Sequence, residues 1–158
     1  MQMKNYYLDM LYLKTATLIE AAAKASATLV GKDPHKHALY GKNLGLSFQI
    51  IDDILDITAS SEVLGKPALN DFVEGKCTLP YIYLYEALLE DEKEQLVGLH
   101  AKELTKEQSQ WIQEKMKKHK SVERSFSLAK ELSDEAKRAM SDDVELVAIL
   151  DAMIQRSY

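Results

Sequence analysis

The stretch YGKNLGLSFQIIDDILD, from Tyr40 to Asp56, places three aspartates within an otherwise apolar segment. Asp33 precedes it as a helix N-cap, and apolar side chains recur at helical spacing to about residue 59, so the sequence predicts one long helix. The middle of this helix is apolar nearly all round, which is typical of a helix at the centre of a bundle. Charged side chains rarely occur in such surroundings without a partner. Asp52, Asp53 and Asp56 are therefore the first candidates for a functional site.

The spacing of these aspartates brings their carboxylates to one side of the helix. Asp52 and Asp56 stack on one face, and Asp53 lies about 100° round from Asp52. Buried together, they would be costly unless something positive offset their charge. Oxygen ligands without cysteine favour a hard divalent cation, and few ligands with room for water favour Mg²⁺ over Ca²⁺. The alternative is a polar stripe that faces solvent, and a DDxxD pattern alone does not distinguish the two.

Three lysines could offset this negative charge. Lys14 lies in the first predicted helix, and Lys66 and Lys76 lie in the loop that follows the aspartates. Mg²⁺ bridges phosphate oxygens and lysines act on them as point charges, so carboxylates, metal and lysines together indicate a diphosphate. Taken singly, each lysine is most often a solvated surface charge.

The rest of the chain predicts an all-α fold. Its three prolines and six glycines cluster mainly between Gly31 and Pro80, which leaves long segments free to form helices. An amphipathic helix is predicted over about residues 7–30, a loop with a short helical turn over 60–78, and a series of helices after that. Six tyrosines are predicted to lie in the core or at an interface: Tyr6, Tyr7, Tyr12, Tyr81, Tyr83 and Tyr85.

The composition is that of an ordinary globular protein. The chain has 158 residues, 46% of them hydrophobic, and a formal net charge of −5. No block of like charge indicates a nucleic-acid-binding arm. The single cysteine, Cys77, excludes an intramolecular disulfide and is consistent with a reducing, cytoplasmic location. No apolar run approaches the roughly 20 residues of a membrane-spanning helix, so any contact with lipid is predicted to be peripheral.

Four motifs together resemble a known family. The string from Tyr40 to Asp56, followed by LGKPALND and EGKCTLP, resembles the second aspartate-rich region of trans-prenyl diphosphate synthases of the polyprenyl type. The upstream string KTATL, from Lys14 to Leu18, is similar to the KT motif of that family, at about the expected distance. The motifs occur in the same order, and the resemblance is close over roughly the first half of the chain. It implies an antiparallel helical bundle, part of the isoprenoid synthase fold.

The resemblance also implies an activity. An allylic diphosphate ionises to a carbocation with the aid of Mg²⁺, isopentenyl diphosphate attacks it, and a proton is lost, which elongates a trans-polyprenyl diphosphate. The implied metal ligands are Asp52, Asp53 and Asp56. The implied catalytic residues are Lys14, Thr15, Gln49 and Lys66. The residues implied to bind the diphosphate or to support its charge cluster are Lys14, Lys66, Lys76 and Asp71. The oxygens of the Thr15 and Gln49 side chains would lie near the developing cation.

The chain also departs from the family pattern. Leu69 stands where the family usually has a glycine, and Ser26 and Ala27 stand about where another glycine is often found. The first aspartate-rich motif and the isopentenyl diphosphate site of the family are absent. We therefore expect residues 1–158 to form a single helical domain, the C-terminal half of a synthase. This half is expected to be inactive alone and to act as a homodimer or with the N-terminal half.

Three alternatives remain at this level. A non-catalytic, synthase-like subunit would keep the fold and modulate another chain, although it would not need the aspartates and lysines of the motifs. A terpene cyclase would share the metal chemistry but usually has a second metal motif of Asn, Ser and Glu. A zinc site at His35 and His37 is disfavoured, because side chains two residues apart on a helix diverge.

Overall fold

The protein is all-α, as the sequence predicts. The computed structural model describes residues 2–58 and 69–155, and no β-strand occurs among them. The helices are α1 (Gln2–Leu11), a π-helical turn (Tyr12–Ala16), α2 (Thr17–Leu29), α3 (Pro34–Thr58), α4 (Asn70–Val73), α5 (Leu79–Ala87), α6 (Glu90–Leu99), α7 (Lys106–His119), α8 (Ser121–Ala139) and α9 (Val144–Gln155). Within the described residues, none of these helices has the length and hydropathy needed to cross a membrane.

The chain forms two compact units. The first combines Met1–Ile51 with Ser127–Tyr158, and the second is Asp52–Phe126. The chain passes from one unit to the other within α3 and returns within α8. Each unit has a hydrophobic cluster of its own.

The predicted start of the long helix is confirmed. The Asp33 carboxylate accepts hydrogen bonds from the backbone N–H groups of His35 and Lys36, at 2.8 and 3.3 Å. These bonds satisfy two of the N–H groups that a helix leaves without an internal acceptor at its first turn. The preceding Gly31 has φ +70°, a left-handed conformation that ends the first helical segment.

Two glycines of α3 allow the first helical segment to approach closely. A Cβ atom at Gly41 would lie 2.7 Å from the carbonyl oxygen of Ile19, and one at Gly45 would lie 2.7 Å from the Cα atom of Ala16. Ordinary contacts between carbon atoms are about 3.5–4.0 Å. The π-helical turn, which ends at Ala16, is therefore packed directly against the backbone of α3.

The core of the first unit joins α3, α8 and α9. Its buried members are Tyr40, Ala136, Met140, Leu150 and Met153. The Tyr40 hydroxyl donates to the carbonyl oxygen of Leu146 at 3.1 Å, and the buried Ser47 hydroxyl donates to the carbonyl oxygen of Ala129 at 3.0 Å. These bonds satisfy polar groups that would otherwise be costly to bury.

The core of the second unit surrounds α5. Its buried members are Ile57, Leu69, Phe72, Tyr81, Leu84, Leu88, Leu96, Ile112 and Met116. The rings of Phe72 and Tyr81 stack, with centroids 4.7 Å apart and an angle of 25° between their planes. Of the tyrosines predicted to lie in the core or at an interface, Tyr81 and Tyr83 are buried, whereas Tyr6 has 77% of its area exposed.

Leu69 has an unusual backbone conformation for its residue type. Its φ is +67°, in the left-handed region, and its side chain is fully buried in the core of the second unit. A left-handed conformation costs a residue with a Cβ roughly 1–2 kcal/mol, and glycine adopts it freely. The conformation supplies a physical reason for a glycine at this position, and burial of the leucine side chain offsets the strain.

Candidate active site

The three aspartates occupy the last two turns of α3 and differ in exposure. Asp52 is exposed, Asp53 is partly exposed, and Asp56 is buried. Asp52 and Asp56 share one face of the helix because they are four residues apart. The exposure of these side chains therefore decreases along α3 from Asp52 to Asp56.

Asp56 closes a turn of the chain. Its carboxylate accepts a hydrogen bond from the backbone N–H of Asp71 at 3.0 Å, and its carbonyl oxygen accepts one from the N–H of Leu69 at 3.0 Å. The carboxylate therefore caps the first turn of the short helix α4, where backbone N–H groups have no acceptor within the helix. Asp56 thus has a structural function that the DDxxD pattern does not reveal.

Asp71 and Lys76 form a second charged cluster. The Lys76 ammonium lies 2.8 Å from a carboxylate oxygen of Asp71 and 2.7 Å from one of Glu74. These two hydrogen bonds raise the pKa of Lys76 above its ordinary value. Lys76 also donates its backbone N–H to the carbonyl oxygen of Asp71 at 2.8 Å. Through Asp71, this cluster is connected to Asp56.

The first unit contains a hydrogen-bonded pair of its own. The Thr15 hydroxyl donates to the side-chain oxygen of Gln49 at 3.1 Å, so the KT motif and α3 are joined by a direct hydrogen bond. Lys14, beside Thr15, is exposed. Both residues lie in the π-helical turn, and π-helical turns occur frequently at functional sites. The structure thus brings these two side chains together, and their predicted role near a developing cation stays a prediction.

The π-helical turn is defined by bonds to one carbonyl oxygen. The backbone N–H of Thr17 bonds to the carbonyl oxygen of Tyr12, five residues earlier, and the Thr17 hydroxyl donates to the same oxygen at 2.5 Å. A threonine hydroxyl can satisfy a carbonyl in this way where the regular helical ladder is interrupted. The turn alters the direction in which Lys14 and Thr15 project, compared with a continuous α-helix.

The carboxylates predicted to bind metal do not form a complete metal site by themselves. Among residues 2–58 and 69–155, no three His, Cys, Asp or Glu side chains are arranged to hold a metal ion. Mg²⁺ does not require such a cage, because it usually binds one or two carboxylates, several waters and the phosphates of its substrate. Exposed Asp52 and partly exposed Asp53 suit that kind of site. The predicted Lys66 lies outside the described residues.

The two histidines considered for a zinc site lie near the start of α3. His35 is exposed, and the ring of His37 bonds through Nδ1 to the carbonyl oxygen of Asp33 at 2.7 Å.

Two side-chain hydroxyls of the second unit were not among the site residues predicted from the sequence. Thr78 and Tyr81 are buried, and neither hydroxyl has a hydrogen-bond partner within the part of the chain that the structure describes. Thr78 is the N-cap residue of α5, yet its side chain makes no capping bond. Both lie in or beside the EGKCTLP string, but an apolar run such as LPYIYLY predicts a core helix whether or not its hydroxyls have a function.

Comparison with known proteins identifies the family. The family model described as polyprenyl synthetase matches residues 1–132. The short chain isoprenyl diphosphate synthase of Methanothermobacter thermautotrophicus is 44% identical over 96 residues, which are 59% of this chain and 30% of that protein.

Solved structures agree with this match. The octaprenyl pyrophosphate synthase of Helicobacter pylori has a TM-score of 0.87 and 38% identity, over 96% of this chain and 53% of that one. A polyprenyl synthase from Caulobacter crescentus, solved with calcium and isoprenyl diphosphate, has a TM-score of 0.75 and 32% identity, over 96% of this chain and 48% of that one. The chain thus spans about half of these two structures. Because the family model matches more than half of the chain, the protein belongs to the polyprenyl synthetase family.

Proposed function

We propose that this chain is the diphosphate-binding part of a trans-polyprenyl diphosphate synthase, which joins isopentenyl diphosphate to an allylic diphosphate. The observation that carries the proposal is the family match over residues 1–132, which includes every motif described above. The Caulobacter crescentus relative supports it, because that protein was solved with calcium and isoprenyl diphosphate. Elongation by the whole protein is part of this proposal.

The carboxylates are proposed to hold Mg²⁺. Asp52 and Asp53 would bind the ion directly or through water, and Asp56 would bind it while keeping the turn to Asp71 closed. The bound ion would neutralise charge on the leaving diphosphate. The all-oxygen donor set fits Mg²⁺, and the unpartnered hydroxyl of buried Tyr81 fits a polar, hydrated site in this part of the second unit.

The lysines are proposed to bind the allylic diphosphate. Lys14 and Lys66 would act on its oxygens as point charges, and Lys76, held by Asp71, would support the same cluster. Lysine suits a mobile diphosphate because its ammonium is a compact charge on a flexible stem.

Thr15 and Gln49 are proposed to stabilise the developing carbocation. The bond from the Thr15 hydroxyl to the Gln49 side-chain oxygen fixes the orientation of both groups before substrate binds. Oxygen dipoles that are already oriented need no reorganisation when charge develops, which is the main source of electrostatic catalysis.

The site is proposed to need a partner. The chain spans about half of the solved relatives, so the remaining half of a synthase, or a second copy in a homodimer, would complete the substrate pocket. We propose a cytoplasmic protein with at most peripheral contact with lipid. If the chain bound no diphosphate, a non-catalytic, synthase-like subunit would be the better description.

The experiment is a calorimetric titration of the chain with farnesyl diphosphate, with and without Mg²⁺. Wild-type protein is expected to bind only with Mg²⁺, and Asp52→Asn is expected to reduce that binding at least tenfold. Asp91→Asn is the matched control, since Asp91 is an exposed helical aspartate of the same unit. The proposal fails if folded wild-type protein binds no diphosphate, or if both variants bind as tightly as wild type.

A further inference from the structure

Tyr81 has a buried hydroxyl that packing does not explain. The side chain is only 3% exposed, and its hydroxyl has no partner among the described residues. Burying a hydroxyl without a hydrogen bond is unfavourable, because the bonds it made to water are not replaced. Phenylalanine would fill the same space without this cost. The hydroxyl therefore indicates a polar function.

The surroundings of the Tyr81 ring show where that function lies. The ring stacks on Phe72 at 4.7 Å, and Phe72 directly follows Asp71 in α4. The N–H of Asp71 is in turn bonded to the carboxylate of Asp56. The phenol therefore packs beside the turn that joins two acidic residues of the proposed site.

The hydroxyl is a hydrogen-bond donor in this environment. Burial, followed by the negative charges of Asp56 and Asp71, raises the pKa of Tyr81 well above its ordinary value. The phenol therefore keeps its proton at neutral pH. A protonated phenol can donate a hydrogen bond, and a carboxylate can accept one.

We propose that Tyr81 is a positioning residue of the carboxylate site, and that its hydroxyl donates through a bridging water to the carboxylates of Asp56 and Asp71. A buried water needs two to four polar partners, and these three side chains would provide them. The inference rests on the proposed function, because the orientation of the carboxylates matters only if they bind the metal and the diphosphate. Hydrogen bonds that orient metal-binding carboxylates typically change metal affinity by about 10–100-fold.

The test compares the full chain with its Tyr81→Phe and Tyr85→Phe variants. Tyr85 lies one helical turn further along α5 and is partly buried, so the same hydroxyl is removed from the same helix. Calorimetry with Mg²⁺ and farnesyl diphosphate measures affinity, and the ultraviolet difference spectrum on adding both reports on the tyrosines. Thermal unfolding measures stability in each variant.

The expected result is a loss of affinity of about 10-fold or more in Tyr81→Phe, with an unfolding midpoint at or above that of wild type. The tyrosine difference band is expected in wild type and in Tyr85→Phe, and to be lost in Tyr81→Phe. Equal affinity and an unchanged difference band in Tyr81→Phe would overturn the inference while leaving the proposed function intact. Absence of binding by wild-type protein would overturn the proposed function, and this inference with it.

Discussion

The contact between Gly45 and the π-helical turn gives a prediction with a built-in control. Gly45→Ala adds a Cβ atom 2.7 Å from Ala16 Cα and 2.9 Å from Ala16 Cβ. Both neighbours are rigid, because one is backbone and the other is attached directly to it. Gly98→Ala makes the same change in α6, where nothing lies within 4 Å of the new atom.

The magnitudes follow from two opposing effects. Alanine stabilises a helix by about 0.5–1 kcal/mol relative to glycine, so Gly98→Ala should stabilise the protein by about that amount. At Gly45 the same gain is opposed by overpacking, which typically costs about 1–3 kcal/mol. We expect Gly45→Ala to destabilise the protein by about 1–2 kcal/mol, which corresponds to a fall of roughly 2–8 °C in Tm.

Urea denaturation monitored by circular dichroism measures both variants. The slope of unfolding free energy against urea concentration should stay the same, so that a change of midpoint reports stability. Gly45→Ala should also weaken Mg²⁺-dependent binding of farnesyl diphosphate, because α3 and the turn that carries Lys14 and Thr15 must move apart. Stabilisation by both alanines would refute the close packing on which this reasoning depends.

Three further predictions concern single side chains. Leu69→Gly should lower the free energy of unfolding no more than Leu69→Ala, because glycine relieves the left-handed backbone. At helical Leu84, the glycine variant should be about 1 kcal/mol less stable than the alanine variant. Urea midpoints of the four variants give the order, and the same order at both sites would contradict a strained backbone at Leu69. Asp56→Ala should lower the free energy of unfolding by about 1–3 kcal/mol, because the Asp71 N–H loses its acceptor. Asp56→Asn keeps an oxygen and should be less destabilised. Equal destabilisation of the two variants in thermal unfolding would refute the capping function of Asp56. The Asp143 carboxyl has a lowered pKa, mainly through the Leu146 N–H and then through Lys32. Its stabilising effect is therefore full above the unfolded value of about 3.9 and is lost as pH falls through the folded value. Asp143→Asn should thus lower Tm at pH 7 and have less effect below about pH 4. A difference in Tm between wild type and variant that does not vary with pH would contradict this prediction.

Local signals in the sequence were sufficient for the long helix and for its start. The Asp33 N-cap and the apolar spacing that follows it are set by residues close together in the chain, and the structure has α3 as Pro34–Thr58. The short helical turn in the following loop is likewise confirmed, as α4. These features depend on propensity and capping, which a single sequence carries.

Features that depend on distant contacts were not predictable. The bond between Asp56 and Asp71 joins residues that are 15 apart, so an aspartate pattern that indicates metal ligands also contains a structural residue. Leu69 adopts a left-handed conformation that its residue type disfavours, because burial in the core compensates. The π-helical turn leaves no signal in the apolar spacing, since it shifts the period by only one residue over a single turn.

The central claim is that the aspartates at the end of α3 bind a metal–diphosphate. The most direct measurement is paramagnetic broadening of backbone amide resonances by Mn²⁺ with farnesyl diphosphate, in place of Mg²⁺. Amides of Asp52 and Asp53 should broaden at low Mn²⁺ and recover when excess Mg²⁺ is added, while the amide of the exposed Asp91 should not change. Equal broadening at Asp91, or no broadening at Asp52 and Asp53, would contradict this claim.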